Sequence, residues 1–255
     1  MTEMADFDDR NKTLHVIATI RTEFVEKFGV PRQSGLVEGL RGEIIFEPEY
    51  RNAEALKGIE EYSHLWLLWG FSHNQREGFV PTVHPPRLGG KIKKGVFATR
   101  APFRPNAIGL SCVRLEDVIW ESAQGAKLIV GGADLVSGTP IYDIKPYLPY
   151  TDAHPEASGG FGQAHSDCEI EVDFPQGLLE RLPEEKRETA VGLLRQDPRA
   201  AYQKQQGAIY GMHFAGYDIR FAEKEGRLCV CDVVDAACGA EKVKQGAARN
   251  RSSAQ

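Results

Sequence analysis

Short apolar stretches cut by glycine and proline recur through the first 150 residues, most of them β-branched or alternating with a period of two. "LHVIATI" (14–20) predicts a first strand and "GEIIFE" (42–47) a second. "RNAEALKGIEEY" (51–62) predicts a short helix, with Asn52 placed to cap it and Ala55, Leu56 and Ile59 at helical spacing. "SHLWLLWGF" (63–71) is an unbroken apolar run, as expected of a strand buried on both sides. "KKGVFATR", "IGLSCVRLEDVIW" and "GAKLIVGGADLV" continue the strand-turn rhythm. The pattern then fades: a Gly-, Ser- and Pro-rich stretch up to residue 167 reads as a linker or loop.

Beyond the linker, "CEIEVDF" (168–174) alternates as a strand. "PQGLLERLPEEKRETAVGLLRQDP" carries the one clear helical stretch, with Pro183 in a first-turn position and Pro198 past the end. "GYDIRFAEKEGRLCVCDVVDA" alternates on both sides of Glu225-Gly226, a hairpin signal. The division expected is a mainly β domain over 10–152, a linker over 153–167, a small α+β domain over 168–238 and a polar tail over 239–255. Many short strands without alternating long helices favour a barrel or sandwich over a doubly wound sheet.

Composition narrows the class. An apolar share of 42% and a charged share of 26% over 255 residues are those of a globular chain. No apolar run approaches the ~18 residues of a membrane helix. The opening "MTEMADFDDRNK" is acidic and lacks an apolar core, so no leader is expected. Five cysteines without a CxxC pair fit reduced thiols in the cytoplasm. Cys229 and Cys231 would share one face of a strand, and two thiols alone make a poor metal site.

The net charge of −5 argues against indiscriminate nucleic-acid binding, but its distribution does not. Between Glu77 and Glu116 there is no acidic residue, whereas Arg87, Lys91, Lys93, Lys94, Arg100, Arg104 and Arg114 all fall there. A local cationic surface on an acidic protein favours a polyanion docking at one place.

Four segments are over-specified for packing alone. In "VPRQSGL" (30–36), Ser34-Gly35 would let backbone N–H groups approach a ligand closely. In "FSHNQREG" (71–78), His73 and Asn74 emerge at the end of a predicted strand, where scaffolds hold functional loops. In "TRAPFRPNAIGL" (99–110), Pro102 and Pro105 restrict the backbone that carries Arg100 and Arg104, whose forks suit carboxylates and phosphates. Asn106 there either caps the turn or presents its amide to an adenine edge. In "DLVSGTPIYDIKPYLPY" (134–150), Asp143 could accept a proton or steer a cation, and Tyr147 or Tyr150 could stack on a base. No P-loop, GxSxG, HExxH or HxE…CxxC pattern occurs, and "VGGAD" (130–134) lacks the helix of a dinucleotide-binding turn.

"GVFATRAPFRPNAIGLSCVRL" and "SGTPIYDIKPYLPY", with "VPRQSGL", "SHLWLLWGF" and "PPRLGG" upstream and "QDPRAAYQ" and "YGMHFAGYDIRF" downstream, together resemble the TsaA-like (YaeB, TrmO) family over nearly the whole chain. The resemblance implies a single-sheeted β-barrel with a small C-terminal α+β domain, a homodimer, and S-adenosylmethionine-dependent methylation of tRNA. The acceptor implied is N6 of N6-threonylcarbamoyladenosine at position 37, beside the anticodon.

By the same resemblance the cofactor is expected among Gln33, Ser34, Gly35, His73, Asn74, Arg100, Leu110, Thr139 and Pro140. On the acceptor side Asp143 is the expected proton acceptor, with Lys145 and Tyr147 orienting the base. Arg87, Lys91, Lys93, Lys94, Arg104 and Asn106 are expected to meet the anticodon stem-loop. Two positions depart from the family pattern: Ala107 replaces a common proline, and Ser137 replaces an aspartate beside the expected cofactor. The rival expectations are a non-catalytic RNA-binding barrel and a small-molecule hydrolase using His73 and Asp143.

Overall fold

The computed structural model describes residues 13–71, 78–85, 88, 92–163, 169–199, 205 and 207–236. Six strands close into an antiparallel barrel: β1 (Ala18–Thr22), β2 (Arg41–Phe46), β3 (His64–Gly70), β6 (Ile108–Ile119), β7 (Lys127–Gly131) and β8 (Thr139–Pro146). Their order around the barrel is β1-β2-β7-β6-β3-β8, with β8 pairing back onto β1. Closure leaves no free sheet edge. A two-stranded ribbon, β4 (Thr82–Val83) with β5 (Lys94–Gly95), stands apart from it.

Period-two alternation fills the barrel. Ala18 and Ile20, Ile44 and Phe46, Leu65 and Leu67, Leu128 and Val130, and Val113 and Ile141 form one buried cluster. This corrects the expectation for 63–71. In β3 Leu65, Leu67 and Gly70 are buried while Trp66, Leu68 and Trp69 are half-buried, because each barrel strand turns one face inward.

The predicted helix over 51–62 is also corrected. The segment forms short 3-10 turns at Ala53–Leu56 and Ile59–Glu61, separated by Gly58 at φ +82°. Asn52 does cap the first, accepting a hydrogen bond from the Glu54 N–H at 3.0 Å. "KKGVFATR" yields only β5 and a 3-10 turn, Val96–Ala98, rather than a full strand.

The second sheet has the order β10 (Ile209–Phe214), β11 (Tyr217–Lys224), β12 (Arg227–Asp235), β9 (Val172–Asp173), and β9 joins it in parallel. The expected strand at 168–174 thus shrinks to two paired residues. Both hairpins turn on two residues of positive φ, Ala215-Gly216 and Glu225-Gly226, as tight hairpins require. Short helices α1 (Pro149–Asp152), α2 (Gly160–Gln163) and α3 (Gln176–Leu179) precede α4 (Glu184–Arg195), which buries Ala190, Leu193 and Leu194. A bulge in β12 leaves Cys231 unpaired between Val230 and Asp232, with Cys231 exposed and Cys229 half-buried. Among the described residues no helix is long and apolar enough to cross a membrane.

The β1–β2 connection, residues 23–40, packs its apolar side chains away from the barrel core. Phe24, Val37 and Leu40 sit in the second core with Leu193, Met212, Phe214 and Phe221. Phe24 meets Phe214 at 5.8 Å, and the Thr189 hydroxyl donates to the Glu38 carbonyl at 3.1 Å. Gly29, at φ +90°, is required twice over, since a Cβ there would lie 2.5 Å from Met212. The C-terminal sheet therefore holds the loop that carries "VPRQSGL".

Candidate active site

That loop forms one wall of a cleft of about 730 Å³ at one end of the barrel. Facing it are Trp69 at the end of β3, the 99–104 bend, Ile108 to Leu110 at the start of β6, Asp134 to Val136 in the β7–β8 connection, and Thr139. The volume suits a nucleoside-sized ligand. The lining is apolar toward Trp69, Phe71, Leu110 and Leu135, and among the described residues it carries Lys27, Arg32, Arg100 and Arg104 against one acid, Asp134.

Asp134 is held by a chain of donors. Trp69 stands opposite Gly109 in the β3–β6 register, so its ring reaches diagonally to Ser111 on the same face. Its Nε1–H donates to the Ser111 hydroxyl at 3.0 Å, which donates to Asp134 Oδ1 at 2.6 Å. Gly109 is needed beneath the ring, where a Cβ would fall 2.3 Å from its atoms. Burial pushes the Asp134 carboxyl above its ordinary pKa. The Ser111 hydroxyl, the backbone N–H groups of Asp134 and Ser34, and the Arg100 charge all pull the other way without cancelling it.

Four of the expected cofactor residues, Gln33, Arg100, Leu110 and Thr139, meet in this cleft from four separate segments. The Arg100 guanidinium donates to Gln33 Oε1, which ties the 99–104 bend to the β1–β2 loop. Ser34 and Gly35 serve the fold instead: the Gly35 N–H donates to the Gly132 carbonyl at 3.0 Å, the Ser34 N–H to the Asp134 carboxylate, and the Ser34 hydroxyl to the Cys112 carbonyl. The expectation of free N–H groups there is corrected by these internal partners. Pro140 follows Thr139 on β8, opposite Thr19. Ser137 holds the β7–β8 turn to β1, accepting from the Thr22 N–H at 3.3 Å and donating its own N–H to the Phe24 carbonyl at 2.8 Å. His73, Asn74, Arg87 and Lys91 lie outside the described residues.

Asp143, Lys145 and Tyr147 do not line the cleft. Asp143 is four residues along β8 from Thr139, roughly 13 Å at strand rise. Its carboxylate takes Lys145 Nζ at 2.9 Å, which holds that ammonium above its usual pKa. Tyr147 packs against Trp66 at 5.7 Å, and Asp152 fixes Trp66 by accepting from its Nε1–H at 3.0 Å. Tyr150 is almost fully exposed nearby.

Of the expected RNA contacts, Lys93 and Asn106 are exposed and Lys94 is half-buried. Arg104 is partly committed, donating to the Val96 and Thr99 carbonyls at 3.0 and 2.7 Å. Asp134, Ser111 and Trp69 were not among the expected residues. The signals for them were a carboxylate beside two glycines and a lone serine in an apolar strand.

The family model described as the tRNA-methyltransferase O N-terminal domain matches residues 19–153, and that of the TrmO C-terminal domain matches 167–236. The chain belongs to the tRNA-methyltransferase O family. It is 42% identical to the tRNA (adenine(37)-N6)-methyltransferase of Escherichia coli K12 over 213 residues, which span 80% of this chain and 90% of that protein. It is 40% identical, with the same coverage, to a putative S-adenosylmethionine-dependent methyltransferase, RcsF, of Pseudomonas aeruginosa. A crystal structure of TrmO from Pseudomonas aeruginosa matches with a TM-score of 0.65 and 33% identity, covering 88% of this chain and 99% of that one. Family membership thus accords with both halves of the architecture, the closed barrel and the small C-terminal sheet.

Proposed function

We propose that the chain transfers a methyl group from S-adenosylmethionine to N6 of adenosine 37 in tRNA, the adenosine carrying an N6-threonylcarbamoyl group. The observation that carries this reading is the convergence of Gln33, Arg100, Leu110 and Thr139, drawn from separate motifs, on one cleft that also holds the Asp134 carboxylate. The donor set fits such a cofactor. Trp69, Phe71 and Leu110 offer apolar faces to an adenine, and Arg100 offers its fork to a carboxylate. Asp134 supplies a negative charge for a cationic centre. Its acceptor positions are already engaged by Ser111 and by backbone N–H groups. It therefore suits a sulfonium, which has no protons to donate, better than an ammonium.

When bound, that cofactor supplies a methyl group already activated for in-line displacement, its C–S bond breaking as the N6–C bond forms. The chain's residues align and desolvate. Holding donor and acceptor in line is worth about 7–11 kcal/mol of barrier. The wall formed by Trp69, Phe71 and Leu110 excludes water from the transfer. The N6 proton leaves once the nitrogen is alkylated and passes to bulk water at the open mouth of the cleft, so no base inside the cleft is required. Asp143, Lys145 and Tyr147 lie along the strand that leads out of the cleft, and we place them on the path of the RNA, with Asp143 orienting Lys145 toward phosphate.

The test is mass spectrometry of tRNA nucleosides after incubation with isotope-labelled S-adenosylmethionine. Label confined to the threonylcarbamoylated adenosine supports the reading. Label on another nucleoside redirects it, and a protein that binds the RNA hairpin yet shows no heat with the donor is a binding module.

A further inference from the structure

Beside the cleft mouth two large aromatic side chains are left open. Phe97 is 69% exposed and Phe79 51%, and their rings stack with centroids 6.0 Å apart. They are held there by backbone pairing. The ribbon sets Thr82 opposite Gly95, the Val96 N–H donates to the Pro81 carbonyl at 3.0 Å, and the Val80 N–H to the Phe103 carbonyl at 3.1 Å. Val96, next to Phe97 in the chain, is buried, so the pair stands on a fixed base. Arg104 lines the cleft and also lays its guanidinium 5.4 Å from the centre of the Phe97 ring, which joins the pair to the site. Exposing two phenylalanines side by side forfeits burial that such rings normally obtain, so the pair calls for a partner.

We infer that Phe79 and Phe97 form a stacking platform for an unpaired RNA base next to the nucleotide that enters the cleft. The charge around the pair selects this occupant. No acidic residue occurs from position 78 to 115, while Lys93, Lys94 and Arg104 stand close by in sequence. Aromatic faces interleaved with cations are what single-stranded nucleic acid requires, the rings for bases and the cations for phosphates. A second copy of the chain is disfavoured by the same charges, because a two-fold interface would press this cationic surface against itself. The inference rests on the RNA-modifying function proposed above and adds the residues that splay the loop.

The test measures binding of an anticodon-type RNA hairpin to the wild-type chain and to Phe97→Ala, Phe79→Ala and Phe97→Tyr. 2-Aminopurine replaces the base beside the target adenosine. The wild type and Phe97→Tyr are expected to quench this probe. Each alanine variant is expected to bind roughly 5- to 140-fold more weakly, the equivalent of about 1–3 kcal/mol per stacked base. The dependence of log affinity on log salt stays unchanged, because no phosphate contact is lost.

Calorimetry with S-adenosylmethionine and the molar mass in sedimentation are read on the same samples. Equal RNA affinity in the alanine variants overturns the platform and leaves the proposed function standing. A fall in molar mass in the alanine variants overturns it in favour of an interface between copies. A wild-type chain that binds no hairpin at all removes the functional reading and the platform together.

Discussion

Replacing Asp134 by asparagine separates charge from shape at the floor of the cleft. The amide side chain keeps the volume and can still accept from the Ser111 hydroxyl, which now donates to the carboxylate at 2.6 Å. What is lost is the negative charge beside Lys27, Arg32, Arg100 and Arg104, and with it one acceptor oxygen for the backbone N–H groups of Asp134 and Ser34. A charge-assisted contact is worth about 1.5–3 kcal/mol, so S-adenosylmethionine should bind roughly 10- to 150-fold more weakly at 1.4 kcal/mol per decade. S-adenosylhomocysteine has a neutral sulfur and should lose much less.

The same substitution should act on stability in the opposite sense. Burial raises the Asp134 pKa in the folded state above its unfolded value. Its contribution is therefore fully present below the unfolded value, near 3.9, and is lost as pH rises through the raised folded value. Asparagine does not titrate, so the difference in unfolding free energy between variant and wild type should move in the variant's favour across that window and then level off. Calorimetric titration with both ligands, and urea denaturation from acid to neutral pH, measure the two effects. If both ligands weaken by the same factor, Asp134 faces some other part of the ligand. If neither weakens and the pH dependence of the two proteins coincides, the carboxylate is not the desolvated partner inferred here.

Three further outcomes follow from the geometry. Arg100→Ala removes both the fork offered to the ligand and the tie to Gln33; calorimetry should show donor binding abolished, and unchanged affinity would take Arg100 out of the site. Gly109→Ala drives a methyl group to within 2.3 Å of the Trp69 ring; it should cost about 1–3 kcal/mol of stability and weaken the donor together with a shift in tryptophan fluorescence, whereas an unshifted spectrum would contradict the contact. Phe214→Ala opens the second core beneath Phe24 and should destabilise by about 3–5 kcal/mol. Because Phe24 leads the cleft-lining loop, that variant, assayed at a temperature where it remains folded, should also bind the donor more weakly, and a wild-type affinity would uncouple the C-terminal sheet from the cleft.

Arg41–Phe46 was legible as a strand from its apolar run, and its burial alternates because one face alone turns inward, whereas Tyr217–Lys224 loses its alternation at the Arg220/Phe221 bulge, where Phe221 and Ala222 are both buried. The 51–62 segment was not. Its apolar spacing fits a helix, but Gly58 takes a left-handed conformation and Leu56 is drawn into the barrel core, so tertiary packing overrode the local pattern. The loop over 23–40 shows no period because its apolar residues answer to a second core built from α4 and the C-terminal sheet, far along the chain.

The site divides in the same way. Gln33, Arg100, Leu110 and Thr139 were expected together through the family resemblance of their motifs, and the fold brings all four to one cleft. Asp134 was not, because nothing near it in sequence marks it as desolvated. Its environment is made by Ser111, 23 residues away, and by Trp69, 42 residues from Ser111, which meet only through the β3–β6 register. Slipping that register by one residue would turn Ser111 to the outer face and leave the Asp134 carboxylate without its side-chain donor. The surroundings of Asp134 are thus a property of barrel closure: bends bring Gln33 and Arg100 to the cleft, and strand pairing brings Ser111 and Trp69 to the acid.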